Sequence, residues 1–88
     1  MDETRPIESL RNLGPTAARW LRAAGIATIE ELERLGPGLA YRIVRQHQPR
    51  ATLNLLWSLI AGLRGDDWRT LTEAEKRRWR NEIDDHGE

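Results

Sequence analysis

The residues of this chain whose types and spacing could do chemistry bunch around one tripeptide, Leu13-Gly14-Pro15: Arg11 and Asn12 stand before it, Thr16, Arg19 and Arg22 after it. Their chemistry is the holding of an anion. Asn12 tolerates a left-handed backbone and Gly14 adopts almost any conformation, so the chain can reverse there within a few residues. Pro15 suits the first turn of a helix, where a missing N–H costs nothing. The backbone N–H groups at such a helix start point outward together and hold a phosphate without a cationic side chain. Thr16, Arg19 and Arg11 would add contacts around it. The same turn also joins two packed helices with no ligand at all, and that alternative stands beside the first.

Other chemistry is thinly supplied. His47 lies at a helix end before Gln48 and Pro49, His86 lies in an acidic tail, and neither has a second histidine at metal-ligand spacing. Glu30, Glu31 and Glu33 spread around a helix instead of pairing on one face, and Asp66-Asp67 fit a turn. There are no cysteines for a disulfide or a thiolate zinc site. No catalytic residue, metal site, cofactor or small-molecule substrate is expected. Exposed tryptophans among arginines can stack on bases of single strands, but Trp57 reads as core and Trp79 as core or rim, with Trp20 and Trp68 less determined.

At 88 residues the chain is expected to form a single domain over 1–88, frayed at 1–5 and 85–88, with one modest core. Its net charge of zero argues against coating nucleic acid by electrostatics alone. The distribution is less even: residues 37–65 hold Arg42, Arg45, Arg50 and Arg64 and no acid, between two net-acidic flanks. Arg42, Arg45 and Arg50 form a secondary basic patch that could meet phosphates or an acidic partner, unless they serve only to solubilise apolar helices. The longest apolar stretch, Leu53 to Leu63, is too short to span a bilayer, and MDETRP has no signal-peptide character. A soluble cytoplasmic protein without membrane contact is the expectation.

The elements that must position these residues all read as helix. A short helix is expected over Ile7 to Arg11, and a second from Thr16 to Ala24, stopped by Gly25. Thr28 with Glu31 makes a capping box for a third, ending at Gly36 and Pro37. A fourth over Gly38 to Gln48 turns Leu39, Ala40, Ile43 and Val44 inward. Residues 53–63, LNLLWSLIAGL, are apolar nearly all round, which makes them the centre of the core. Trp68 is expected to fold back on that core. Thr72 with Glu75 caps a last helix from Glu73 to Asp84, with Ala74, Trp79 and Ile83 facing in. The fold class is therefore all-α: a compact bundle of five to six short helices, helix-hairpin-helix or SAM-like, with a buried central helix near 53–64. There is no strict internal repeat, although GIATIEELERLG resembles the second half of a degenerate helix-hairpin pair.

The order of these pieces resembles the C-terminal domain of the TfoX (Sxy) proteins, bacterial regulators of competence for DNA uptake. The resemblance rests on Leu13-Gly14-Pro15 with Ala18 and Trp20-Leu21, on Gly25-Ile26 with Thr28 and Leu32, and on Ala40-Tyr41-Arg42 and Pro49-Arg50. It continues through Leu53-Asn54-Leu55-Leu56-Trp57 with Leu59, Gly62-Leu63 with Gly65, and then Trp68, Leu71 and Glu75, so that it covers about residues 7–80. It implies an all-helical domain related to helix-hairpin-helix folds and a role in transcription or transformation. A weaker similarity ties the opening stretch to the C-terminal domain of the RNA polymerase alpha subunit, which uses an Asn-Leu-Gly turn and the next helix against DNA. Proteins of the TfoX family usually carry an N-terminal α/β domain as well, so a free-standing relative or an excised piece is expected here. DNA-binding hairpins commonly have glycine where this chain has Asn12 and lysine near Thr16, which removes one phosphate contact.

Two functions follow as expectations. One is a non-enzymatic regulatory module that contacts DNA non-specifically through Arg11, Asn12, Gly14, Thr16, Arg19 and Arg22, since no polar recognition-helix face suits a major groove. The other is a protein-protein interaction module, docking a partner in transcription through an apolar patch near Trp20 or Trp68, with no DNA binding.

Overall fold

The computed structural model describes residues 4–86, and their side chains apart from Trp68 and positions 84–86. Five α-helices follow one another, α1 (Pro15–Ala23), α2 (Ile29–Leu35), α3 (Pro37–His47), α4 (Leu53–Arg64) and α5 (Glu73–His86), with single 3-10 turns at Ile7–Ser9 and Trp68–Thr70. This is the expected all-α bundle. Both capping boxes form: Glu31 N donates to Thr28 Oγ1 at 3.1 Å and Thr28 N to Glu31 Oε1 at 3.1 Å. At α5, Glu75 N donates to Thr72 Oγ1 at 3.1 Å and Thr72 N to Glu75 Oε1 at 3.0 Å. Each box satisfies orphan N–H groups of a first turn and fixes where the helix begins.

α4 is the centre of the core, as its all-round apolarity demands: Leu55, Leu56, Trp57, Leu59, Ile60 and Ala61 are buried. α5 reaches it through an ion pair from Arg64 to Glu75 at 2.8 Å and through Lys76, whose Nζ lies 5.9 Å from the centre of the Trp57 ring. α5 also packs on α3.

Several expectations are corrected. Ile7 to Arg11 does not complete an α-helix; only Ile7–Ser9 turns, and Ser9 Oγ donates back to Pro6 O at 2.7 Å. Leu39 does not face inward but is 45% exposed. The cause is Tyr41, which is only 1% exposed and takes the inner face of α3 with Ala40 and Val44, turning Leu39 outward. Burial of Tyr41 is tolerated because its hydroxyl accepts from Arg45 Nη1 at 3.0 Å. Ala74 is exposed, because Lys76, Trp79 and Ile83 form the inner stripe of α5. The placement of the Trp68 side chain lies outside what is described, as do the expectations for residues 1–3 and 87–88. Arg5, at the edge of the stretch expected to fray, is held by ion pairs to Glu30 at 2.8 Å and Glu33 at 3.2 Å.

The resemblance of GIATIEELERLG to the second half of a hairpin pair extends to a degenerate repeat. Ile7, Glu8, Leu10, Leu13, Gly14, Pro15 and Ala18 recur as Ile29, Glu30, Leu32, Leu35, Gly36, Pro37 and Ala40, always 22 positions on. The structure pairs the two copies head to head: Ile7 N donates to Ala27 O at 2.9 Å, and Ile29 N donates to Arg5 O at 2.8 Å. Positions 5 and 27, and 7 and 29, are equivalent in the repeat, so the two bonds exchange under interchange of the copies. The second helices of the two copies, α1 and α3, pack on one another. The fold is thus two copies of a hairpin unit back to back, the Ile7–Ser9 turn with α1 and α2 with α3, with α4 and α5 added.

Candidate functional site

The first hairpin places its residues unequally. Asn12 carries the left-handed backbone, with φ of 75°, whereas Gly14 sits in ordinary extended conformation at φ −83° and ψ 170° as the N-cap of α1. No side chain caps that helix, so the N–H groups of its first turn have no intrahelical acceptor. A Cβ built on Gly14 would meet nothing within 4 Å. The space in front of the helix start is open.

Of the flanking side chains, two brace the turn, and one of them, Asn12, also lines the groove in front of it. Arg11 Nη1 donates to Gly65 O at 2.8 Å and Asn12 Nδ2 donates to Asp66 O at 2.7 Å, fastening the hairpin to the end of α4. Arg22 forms a two-point ion pair with Glu8, with Nη2 2.8 Å from Oε1 and Nε on Oε2, and the guanidinium holds the Glu8 carboxyl down to about 2. Thr16 and Arg19 are exposed on α1, and Arg19 has no ion pair among the described residues.

What the structure brings to the hairpin is Arg50. A groove of about 330 Å³ runs between the start of α1, with Gly14, Thr16 and Trp20, and the start of α4, with Thr52 and Asn54, and Arg50 lines it. Thr52, the N-cap of α4, makes no side-chain cap either, so a second uncapped helix start opens on the same groove. Among the described residues no acidic side chain lines it. Only the turn between α3 and α4 carries Arg50 across to residue 14, and no local sequence signal marks that approach.

Arg42 and Arg50 do not share a patch. Arg42 lines a second groove, of about 310 Å³, between α3 and α5. That groove is the repeat partner of the first: Leu13, Gly14, Thr16, Ala17 and Trp20 in one correspond to Leu35, Gly36, Gly38, Leu39 and Arg42 in the other. The copies have diverged. α5 brings Trp79, Ile83 and Glu82 to the second groove, and a Cβ on Gly38 would come 3.3 Å from the Trp79 ring. The second groove is faced by Trp79 and carries an acid, while the first carries none among the described residues. Arg45 is engaged with Tyr41.

Among the described residues no group of three or more histidines and carboxylates could hold a metal ion, and no helix is long and apolar enough to cross a membrane.

A family model described as the TfoX C-terminal domain matches residues 3–83. No curated protein matches the sequence. Two crystal structures from Listeria monocytogenes share the fold. One, an uncharacterized protein in a triclinic form, is 24% identical with a TM-score of 0.82, over 93% of each chain. The other, a protein of unknown function in a tetragonal form, is 25% identical with a TM-score of 0.77, over 88% of this chain and 99% of that one.

Proposed function

Because the chain belongs to the TfoX C-terminal domain family, whose helices here frame an open hairpin, we propose that it is a non-enzymatic regulatory module that holds the phosphate backbone of DNA at the α1–α4 groove. The observation that carries this reading is the lining of that groove: two uncapped helix starts, Thr16 and Arg50, and no carboxylate among the described residues. Helix-start amides favour an anion through both hydrogen bonding and the helix dipole. Arg19, exposed on the outer face of α1, extends the contact. Arg11 and Asn12 set the turn, Asn12 from within the groove lining, and Arg22 acts on Glu8. Phosphate contacts position a protein on DNA without reading bases, so the module is non-specific, and its place is in cytoplasmic control of transcription or competence.

Fluorescence anisotropy of labelled DNA tests this at about 50 and 200 mM salt. With two or three phosphates held, log affinity falls against log salt with a slope of roughly −2 to −3. Arg19→Glu with Arg50→Glu removes the binding and leaves the helix content unchanged. Affinity indifferent to salt and to both reversals would refute the phosphate reading.

The protein-contact reading rests on a different observation, the exposed Leu39 beside Trp79 and Ile83. It places the docking surface on the α3–α5 groove instead of near Trp20, and Leu39→Asp with retained DNA binding separates the two readings.

A further inference from the structure

We infer that the α1–α4 groove takes one unpaired base of single-stranded DNA, stacked on Trp20, in addition to the backbone phosphate. This rests on the phosphate reading above and extends it from backbone to base. Its basis is the internal control that the repeat provides. The two equivalent grooves are of similar size and each is lined by a tryptophan and an arginine, but the second also holds Glu82, whereas the first holds Thr16, Thr52, Asn54 and Ser58 and, among the described residues, no acid. Trp20 stands where the second copy has Arg42, and Ala17 where it has Leu39. The small side chain at 17 leaves open the space that a leucine would fill.

Trp20 is half-buried and lines the groove, so its position is fixed by the core while part of it remains accessible. Facing it across the groove are Asn54 and Ser58 on α4, with Arg50 at the turn before that helix. An indole presents a flat apolar surface on which any base can stack, and a guanidinium beside it meets the phosphate of the same nucleotide. Asn54 and Ser58 supply donors and acceptors to a base edge. At about 330 Å³ the groove lies at the low end of small-ligand sites, which begin near 300 Å³. A duplex keeps its bases stacked inside, so only a single strand or a frayed end can fill it.

The test compares a short fluorescein-labelled oligothymidylate with a duplex of equal length, on the whole chain and on Trp20→Leu, which keeps an apolar side chain against the core. The expected result is single-strand binding at least as tight as duplex binding, weakened roughly five- to a hundredfold by Trp20→Leu with duplex binding unchanged. Circular dichroism confirms that the variant is folded. Asn54→Glu is the second variant: a carboxylate in the first turn of α4 suits the helix dipole, so the fold is kept while the groove becomes acidic. It must reduce single-strand binding at least tenfold. Duplex binding that exceeds single-strand binding, or single-strand affinity indifferent to Trp20→Leu, overturns the stacked base and leaves the phosphate reading standing, whereas affinity of both DNAs indifferent to Asn54→Glu overturns both. No binding of either DNA at low salt overturns both.

Discussion

Gly62 of α4 passes directly against the carbonyl of Arg11: a Cβ built on Gly62 would lie 2.7 Å from that oxygen and 2.8 Å from Leu10 Cγ. The hairpin turn rests on the central helix through this contact, and the bonds from Arg11 to Gly65 and from Asn12 to Asp66 lie just beyond it. Alanine in a helix interior is ordinarily worth up to about 1 kcal/mol over glycine. Here the obstacle is backbone and a branched carbon, so the overpacking cost of about 1–3 kcal/mol prevails. Gly62→Ala is expected to lower the urea midpoint, with a net loss of about 1–2 kcal/mol. A variant as stable as the parent would show that the turn is not seated on α4 in this way.

Asn12 does two things that separate substitutions can tell apart. Its backbone is left-handed at φ 75°, and its side chain bonds Asp66 O at 2.7 Å. Asn12→Gly keeps the first property and loses the second, at a cost of about 1 kcal/mol. Asn12→Ala loses both, and the left-handed backbone adds about 1–2 kcal/mol for a residue with a plain Cβ. Denaturant midpoints are expected in the order parent, glycine variant, alanine variant. Equal stability of the two variants would place the whole effect in the side-chain bond.

The helices are legible because each carries its own punctuation. Thr28 with Glu31 and Thr72 with Glu75 cap where their spacing says, and the apolar run of α4 is central because nothing else can cover it. Leu39 is misassigned, and Tyr41 left unassigned, for a physical reason: from apolarity alone a leucine outranks a tyrosine for the core, and only the bond from Arg45 shows how the buried hydroxyl is satisfied. The repeat is hard to see because the copies share few positions, most of them the turn and core types that any short hairpin needs, while Arg11 corresponds to Glu33 and Trp20 to Arg42. Hydrogen bonds between Arg5, Ile7, Ala27 and Ile29 make it visible. For the site, the hairpin is local and legible, but Arg50 reaches it through tertiary folding, and Arg22 is drawn away by Glu8, a partner 14 residues off.

That Glu8–Arg22 pair sets a pH dependence. The bond from the Arg22 guanidinium, aided by a backbone hydrogen bond, brings the Glu8 carboxyl from its usual 4.5 down to about 2. A depressed carboxylate stabilises the fold fully above about pH 4.5, and this contribution fades as pH falls toward 2. Asp67, held down to about 2 by Arg69, adds in the same direction. Glu8→Gln is therefore expected to lower the thermal midpoint slightly near neutrality and by much less at about pH 2. Both partners are about half exposed, so the difference is small and shrinks with added salt. A gap between parent and variant that persists undiminished at about pH 2 would assign the effect to packing instead of charge.

Gly14 and Gly36 occupy the same place in the two copies and should respond oppositely to the same change. At Gly14 the backbone suits any residue and a Cβ meets nothing within 4 Å, so Gly14→Ala is expected to change stability by less than about 1 kcal/mol. If a phosphate approaches this helix start, however, the new methyl projects into its path, and DNA affinity falls several-fold in a fully folded protein. At Gly36 the backbone is left-handed, with φ of 85°, so Gly36→Ala strains the turn and costs about 1–2 kcal/mol, while the DNA affinity of the folded fraction stays unchanged. Thermal unfolding paired with anisotropy on both variants reads the two effects apart. Loss of affinity in Gly36→Ala, or none in Gly14→Ala, would move the contact away from the open copy of the repeat.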